Sequence, residues 1–269
     1  MTSKRISFLS LAAFSLVLIG CGQAADEAEK VAVTPGVEVP VASKPGLAAL
    51  LANDSRAAED RDRDAARKQT DVIGFLGITP GMSVIDVIAA GGYYTEVLSL
   101  AVGSEGHVVA QNPAMVLQFS DGANEKAISA RLAGDRLPNV SRLNIELTEL
   151  TGSDTQYDAA ITALNYHDIY NGFGEKAAVG ALKVAFNSLK PGGVFGIIDH
   201  EGVAGNDNEA MHRGVNADAV RVAEAAGFIV EGDSDILQLH DDDMSLPVFD
   251  AAVRGKTNRF LLKLRKPSE

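Results

Sequence analysis

Short runs of aliphatic and β-branched residues alternate along the chain with segments in which apolar residues recur every three or four positions. The short runs predict strands, and the longer periodic segments between them predict helices. The predicted strands are Ser83–Val87, His107–Gln111, Val140–Leu147, Asp158–Ala163, Val194–Asp199, a sixth beginning at Gly227–Val230, and Arg259–Leu264. The predicted helices are Asn53–Leu76, Tyr94–Val102, part of 113–135, Glu175–Leu189 and Asn216–Ala226.

Strands that alternate with helices predict a parallel sheet with helices on both faces. No helix long enough for a right-handed crossover separates the last two strands, so a hairpin with one antiparallel strand is the natural connection. The sequence therefore predicts an α/β fold with a Rossmann-like, doubly wound, seven-stranded sheet, mostly parallel and with an antiparallel terminal hairpin strand.

The N-terminal segment has the layout of an export signal. Lys4 and Arg5 precede a mostly apolar stretch, and residues 18–21 resemble the lipobox of bacterial lipoproteins. Cys21 is the one cysteine of the chain, which agrees with lipidation. We therefore predict a lipoprotein signal peptide over 1–20, a lipidated Cys21 with a proline-containing tether over 21–46, and one folded domain over 47–269. Glycine rather than aspartate at position 22 favours the outer membrane by the same resemblance.

The charge of the chain limits its partners. Its 36 acidic and 24 basic residues give a net charge of −12. Such a charge argues against nucleic acid or an anionic lipid surface as the main partner, so membrane contact is expected only through the lipid on Cys21. The charged middle of the first predicted helix, Arg56–Lys68, is expected to be a solvated face.

The segment 82–96 carries the strongest local signal. A β-branched strand ends at Asp86, a small-residue turn follows it, and a helical pattern begins at once. Backbone N–H groups at the N-terminus of such a helix can face a ligand, and small residues let the ligand approach closely. The sequence thus predicts a small polar ligand at the carboxyl ends of the strands.

The order of these segments resembles the class I S-adenosylmethionine (SAM)-dependent methyltransferases from about Asp71 to Lys266. The resemblance is carried by 81–86 with 91–95, by 157–160, by Leu-Lys-Pro-Gly-Gly-Val at 189–194 and by 225–228. A narrower resemblance, to a group of bacterial methyltransferases that often carry export signals, rests on 91–96, 166–168, 199–200 and 254–260.

The resemblance implies SAM as the cofactor and assigns residues to it. Its implied contacts are Asp86, Ala90, Gly91, Gly92 and Tyr93 at the first turn, Asn112 at a ribose hydroxyl, Glu146 near the adenine amino group, and Asn165 with Tyr166 in the pocket wall. Two positions depart from the family pattern. Ile88 stands where the first glycine is usual, and a β-branched residue does not adopt positive φ cheaply. Asn112 stands in place of an acid, which is expected to weaken SAM binding by one or two powers of ten.

Two dyads supply candidate catalytic groups. His167 with Asp168 follows the fourth strand and Asp199 with His200 follows the fifth, so both fall on the ligand edge of the sheet. We predict His167 as the base, with Asp199 and His200 shaping the acceptor pocket; the alternative is that each histidine only bonds a loop. A further set (His200, Glu201, Asp207, His212) could bind a metal, but its spacing matches no tight ligand motif, so no metal site is predicted.

The leading hypothesis is SAM-dependent methyl transfer to an unidentified small-molecule acceptor, by an exported lipoprotein at the periplasmic face of a membrane. SAM is made in the cytoplasm, which keeps a second hypothesis open: a non-catalytic lipoprotein that binds a nucleotide or another small ligand on a degenerate methyltransferase fold. An NAD-dependent oxidoreductase fits less well, because neither the glycine pattern nor the terminal hairpin suits it.

Overall fold

The structure, a computed structural model, describes residues 46–150 and 157–269. The predicted signal peptide, Cys21 and the tether up to residue 45 lie outside these ranges. Within the two described ranges, no helix combines the length and the apolar character needed to span a bilayer.

Nine α-helices and seven strands are found in the described residues. The helices are α1 (Leu47–Leu51), α2 (Ala58–Arg67), α3 (Gln69–Leu76), α4 (Tyr93–Val102), α5 (Ala114–Leu132), α6 (Tyr166–Phe173), α7 (Glu175–Ser188), α8 (Asn208–Met211) and α9 (Asn216–Ala225). The strands are β1 (Ser83–Val87), β2 (His107–Gln111), β3 (Val140–Leu143), β4 (Tyr157–Ala163), β5 (Leu189–His200), β6 (Ile229–Ser234) and β7 (Arg259–Arg265).

The strands form one sheet in the order β3-β2-β1-β4-β5-β7-β6. Strands β1 to β5 pair in parallel, whereas β7 is antiparallel to both β5 and β6. The predicted fold and the predicted terminal hairpin are confirmed. The chain leaves β1 toward β2 on one side and returns to β4 on the other, so the topological switch point, where open α/β sheets bind ligands, lies between β1 and β4.

The core lies on both faces of this sheet. In β1 the side chains alternate, with Ile85 and Val87 in the cluster that contains α7 and α9, and Val84 in the cluster that contains α3 and α4. This period of two is expected for a strand whose faces are both covered. The carboxyl ends of β1 and β4 are thereby held in register by packing on both sides.

Three predicted elements differ from the structure: the first helix, β3, and β5, which begins at Leu189 rather than Val194. Three helices of the structure, α1, α6 and α8, have no predicted counterpart. The single helix predicted over Asn53–Leu76 is two helices, because Lys68 adopts φ 41° between them and ends the first. Strand β3 stops at Leu143, four residues before its predicted end, and Glu146 then begins a short 3₁₀ turn. Helix α6 follows β4 directly and was not predicted.

Candidate functional site

A cavity of about 360 Å³ lies at the carboxyl ends of β1 and β4. This volume falls in the range of small-molecule pockets, about 300–1,000 Å³. Its walls come from α2, the turn between β1 and α4, α5 and the segment after β4. They consist of Arg63, Arg67, Asp86, Ile88, Ala89, Ala90, Gly91, Tyr93, Tyr94, Asn124, Ala127, Arg131, Ala163, Leu164 and Asn165. The cavity is thus at the switch point where the topology predicts a ligand.

The backbone around this cavity is strained. Ile88 adopts φ 57° and Ala90 φ 50° in the turn after β1, and Leu164 adopts φ 65° directly after β4. A left-handed conformation costs a residue with a Cβ about 1–2 kcal/mol, and Ile88 is β-branched as well. Such strain persists only where the surroundings fix the conformation, and it is concentrated at functional sites.

Three amide side chains fix the strained turn. The backbone N–H of Ile88 donates to Gln111 Oε1 at 3.0 Å, and that of Ala90 donates to Asn112 Oδ1 at 2.7 Å. Asn112 Nδ2 donates back to the carbonyl oxygen of Ala90 at 3.2 Å, and Asn165 Nδ2 donates to that of Ile88 at 3.2 Å. The ends of β2 and β4 therefore hold the turn from both sides.

The predicted cofactor residues separate into two groups. Asp86, Ala90, Gly91, Tyr93 and Asn165 line the cavity, whereas Gly92, Asn112 and Glu146 are absent from its wall. Gly92 instead caps helix α4 with φ 81°.

Asn112 and Glu146 each have a local structural role. Asn112 is fully buried and its amide is occupied by Ala90. Glu146 caps the 3₁₀ turn after β3, and its Oε1 accepts the backbone N–H of Ala114 at 3.3 Å. Their contacts to ribose and adenine stay predictions. Tyr166, expected in the pocket wall, is instead buried in the core against Tyr170 and Phe260, because α6 begins at this residue and turns its ring inward.

The Asn112 contacts predict the effect of restoring the acid that is usual at this position. In N112D the second carboxylate oxygen would face the carbonyl oxygen of Ala90, where an amide now donates. We expect the free energy of unfolding to fall by about 1–3 kcal/mol at pH 7, because a buried charge would lack a donor. Urea unfolding of N112D against the wild type measures this. Equal stability at pH 7 would show that the amide does not hold the turn.

Helix α5 packs against the glycine pair. A Cβ placed on Gly91 would lie 3.0 Å from Ala127 Cβ, and one placed on Gly92 would lie 3.2 Å from Arg131 Cδ. The glycines therefore permit close approach of α5 to the turn, and the cavity lies beside this contact. Helix α5 itself is interrupted at 119–122, where Ser120, Asp121 and Gly122 take positive φ.

Arg131 joins α5 to the turn and to α2. Its Nε donates to the carbonyl oxygen of Gly91 at 3.0 Å, its Nη1 pairs with the buried Glu96, and its Nη2 lies 2.6 Å from Asp60 Oδ2. Asp60 is also buried and also pairs with Arg63. The expectation of a solvated charged face on α2 therefore holds for the exposed residues Glu59, Asp62 and Arg63 but not for Asp60, whose charge is neutralised by Arg63 and Arg131.

Arg67 presents a cation to the cavity. Its guanidinium carbon lies 4.2 Å from the centre of the Tyr93 ring, and burial lowers the pKa of Arg67. Among the residues that the structure describes, no carboxylate lies within ion-pair distance of it, whereas Tyr93 Oη donates to Asp64 at 2.6 Å. A desolvated, still charged guanidinium of this kind favours an anionic ligand group.

Asp86 lies at the cavity wall beneath the turn. Its Oδ2 accepts from the Thr95 hydroxyl at 2.6 Å, and the side chain is buried. Burial raises the pKa of Asp86 to about 7, although the Thr95 contacts oppose this. The carboxyl is therefore poised between its neutral and charged forms near neutral pH.

The structure brings the four predicted catalytic residues together. His167 Nδ1 lies 2.7 Å from Asp199 Oδ1, and the backbone N–H of His167 donates to Asp199 Oδ2, also at 2.7 Å. His167 Nε2 lies 3.2 Å from Asp168 Oδ1. The rings of His167 and His200 are 6.1 Å apart, and His200 Nδ1 is 2.8 Å from the Thr257 hydroxyl. Both dyads thus belong to one cluster at the ends of β4 and β5.

The two imidazoles differ in charge. Burial would lower the pKa of His167, but Asp199 and Asp168 outweigh it and raise the pKa to about 10. Burial lowers the pKa of His200 to about 4 against the opposing effect of Asp199. At neutral pH His167 is protonated and has no lone pair free to accept a proton, whereas His200 is neutral. This disfavours the prediction of His167 as base.

The residues considered for a metal separate in the structure. Glu201 Oε1 accepts the backbone N–H of Asn216 at 3.3 Å, and Asp207 caps α8. His212 instead lies near the first dyad, with its Nδ1 3.6 Å from Asp168 Oδ1.

Sequence reasoning missed the arginines of the cavity. Arg63, Arg67 and Arg131 line it, whereas the sequence predicts a solvated face for the first two and no role for the third. A signal was present: Asp60, Arg63 and Arg67 are spaced three or four apart and so share one face of α2, where opposite charges can neutralise one another. Nothing local in the sequence marks Arg131, because its partners come from α2 and α4.

Comparisons with known proteins agree on the fold. No protein-family model matches the sequence, and no curated protein matches it either. A SAM-dependent methyltransferase from Aquifex aeolicus is 20% identical with a TM-score of 0.55, over 74% of this chain and 89% of its own. The [4+2]-cyclase SpnF is 18% identical with a TM-score of 0.56, over 81% of this chain and 86% of its own. The chain therefore has the Rossmann-like fold of the class I SAM-dependent methyltransferases.

Proposed function

We propose that this chain binds SAM in the cavity between β1 and β4 and transfers its methyl group to a small-molecule acceptor. The observation that carries the proposal is the position of the cavity. It lies on the turn between β1 and α4, at the switch point of a sheet with the methyltransferase strand order. The fold alone does not fix the activity, and the fit of the cavity residues to SAM gives further support.

The cavity residues suit the chemical groups of SAM. Arg67 offers a desolvated cation to the methionine carboxylate. Gly91 contributes to the cavity wall before the start of α4, and the Tyr93 and Tyr94 rings supply apolar surface. When bound, SAM supplies an electrophilic methyl group on its sulfonium.

The neighbouring cluster suits the acceptor. His200 is neutral and is the last residue of β5, on the same edge of the sheet. In the proposed reaction the acceptor atom forms a bond to the methyl carbon as the sulfur–methyl bond breaks, and S-adenosylhomocysteine is released. The proton that the acceptor loses passes to solvent, because an imidazole with a pKa of about 4 is a weak base at neutral pH, and His200 helps to shape the acceptor pocket. His167, held by Asp199 and Asp168, is a positioning residue.

Calorimetric titration of the full-length protein with SAM and S-adenosylhomocysteine tests this proposal. We expect dissociation constants of roughly 10–500 μM, or about 5–7 kcal/mol, because a neutral amide stands where an acid is usual. Two exposed alanines of α5 give a matched pair of variants, since Ala127 lines the cavity and Ala130 does not. A127F should weaken binding at least tenfold, and A130F should leave it unchanged.

Two results would change the proposal. If the wild type gives no heat at millimolar SAM, or if A127F and A130F bind equally, SAM does not occupy this cavity. If SAM binds but no acceptor in a broad small-molecule panel leads to S-adenosylhomocysteine, the non-catalytic binding lipoprotein replaces the enzyme.

We further propose that the domain is exported and tethered by a lipid on Cys21, at the periplasmic face of a membrane, with the outer membrane favoured. A small molecule is its expected partner, and nucleic acid is not. The support is the sequence of residues 1–22 and the net charge of −12. Radioactive palmitate should label the wild type and not C21A. Equal labelling of the two proteins would refute lipidation.

A further inference from the structure

We propose that His167, Asp168 and His212 form a binding site for a divalent transition-metal ion. One ligand atom from each of the three residues lies within 4.8 Å of the other two. His167 Nε2 and Asp168 Oδ1 are 3.2 Å apart, and His212 Nδ1 and Asp168 Oδ1 are 3.6 Å apart. Ligands that each bind a zinc ion at about 2.0–2.2 Å are separated by about 3–3.6 Å, so both distances suit one shared ion.

Asp199 supports the site from behind. Its Oδ1 accepts from His167 Nδ1 at 2.7 Å, and its Oδ2 accepts the backbone N–H of the same residue at 2.7 Å. The Asp199 side chain is fully buried, so these bonds are shielded from water. Metal-binding histidines usually donate their second ring N–H to a carboxylate in this way, which fixes the ring and directs the other nitrogen to the ion. The ion would take the place of the Nε2 proton.

The third ligand is also held in place. His212 ends α8 with φ 51°, and its ring packs edge-on against Phe249 with 4.9 Å between the ring centres. The next residue, Arg213, is fully buried and pairs with Asp242 at 2.7 Å. Its Nη1 also donates to the carbonyl oxygen of Glu201 at 2.9 Å. The contacts of Arg213 with Asp242 and Glu201 therefore hold the backbone next to His212 in place.

The donor set and the exposure indicate what the site would bind. Two imidazoles with one carboxylate suit Zn²⁺ and other first-row metals better than Mg²⁺ or Ca²⁺. The side chains of Asp168 and His212 are 59% and 44% exposed, which leaves the solvent side of the ion open. An open position on such an ion takes an oxygen-donor ligand, such as a carboxylate or an ionised hydroxyl. Metal binding does not depend on the proposed methyl transfer.

The prediction of no metal site followed from the sequence spacing. His167 and Asp168 lie on α6 and His212 ends α8, so the three ligands come together only in the fold. The candidate set from the sequence contained His212 but neither His167 nor Asp168.

Calorimetric titration of the chelator-treated full-length protein with zinc chloride tests the site. We expect one zinc ion per chain, with nitrogen and oxygen donors in the zinc-edge X-ray absorption spectrum. D168A and H212A should each weaken zinc binding at least tenfold, and D199N should weaken it roughly 10- to 100-fold through the His167 ring. H240A removes an exposed imidazole outside the cluster and should leave the affinity unchanged.

Two results would overturn the proposal: no zinc binding by the wild type, or equal zinc affinity in the wild type, D168A and H212A. A loss of affinity in H240A without a loss in H212A would place the ion elsewhere and overturn it as well. Circular dichroism identifies variants that fail to fold. If H212A does not fold, D168N is measured in its place, because the Asp168 side chain is exposed and its replacement should not disturb the core.

Discussion

Replacement of Arg131 by methionine is expected to lower the free energy of unfolding by about 3 kcal/mol. Removal of one partner of a buried ion pair costs about 3–5 kcal/mol because the remaining charge lacks compensation. Glu96 and Asp60 are both buried and both pair with Arg131. The lower end of the range is expected because Arg136 still pairs with Glu96 and Arg63 with Asp60. The change also removes the bond from Arg131 Nε to Gly91.

Urea unfolding of R131M and of R221M measures this effect against a matched control. Arg221 also pairs with two carboxylates, Glu175 and Asp218, but its side chain is 50% exposed. Exposed pairs contribute about 0–1 kcal/mol, so R221M should remain within about 1 kcal/mol of the wild type. If R131M is as stable as R221M, the arginine network does not hold α2 and α5 over the cavity.

Replacement of Asp86 by asparagine is expected to change how stability depends on pH. The pKa of Asp86 is about 7 in the folded chain, against an ordinary value of 3.8. Below about pH 4 the carboxyl is neutral in both the folded and the unfolded chain. As the pH rises from 4 to 7, the unfolded chain loses this proton first, so the wild type loses stability relative to D86N. At about 1.4 kcal/mol per pKa unit, the total is about 4 kcal/mol.

The difference in unfolding free energy between D86N and the wild type, measured from pH 4 to 8, isolates this group from other carboxyls. D158N provides a control of opposite sign. Lys190 and the backbone N–H of Ser83 outweigh burial and lower the pKa of Asp158, so ionisation of Asp158 stabilises the fold. D158N should therefore lose stability relative to the wild type as the pH rises through the folded pKa of Asp158 toward 3.8, and it should show no further change from pH 4 to 8. If the difference in unfolding free energy between D86N and the wild type does not change with pH, the pKa of Asp86 is not raised by burial.

The fold could be predicted from the sequence because its strands are marked locally. The runs at Ser83–Val87 and His107–Gln111 coincide with β1 and β2 in the structure. The absence of a long helix before Arg259 predicted the antiparallel β7. The break at Lys68 could not be predicted, because lysine has no special preference for positive φ and the packing of α3 on the sheet imposes it.

The site was harder to predict because its chemistry depends on contacts between distant segments. The sequence indicated the edge of the sheet at which the cavity lies and five residues of the cavity wall. It did not indicate that Asn112 is occupied by Ala90, that α2 neutralises its charges over the cavity, or that His212 approaches Asp168. Each of these depends on which side chains the packing places opposite one another, and residue types alone do not specify that.

The central claim is that the cavity between β1 and β4 holds SAM. A crystal structure of the full-length protein with S-adenosylhomocysteine measures the position of the ligand directly. The account predicts the ligand beside Gly91 and Ile88, with its carboxylate within hydrogen-bond distance of Arg67. Ligand density in the separate cavity lined by Leu237 and His240, or none at millimolar concentration, would contradict the claim.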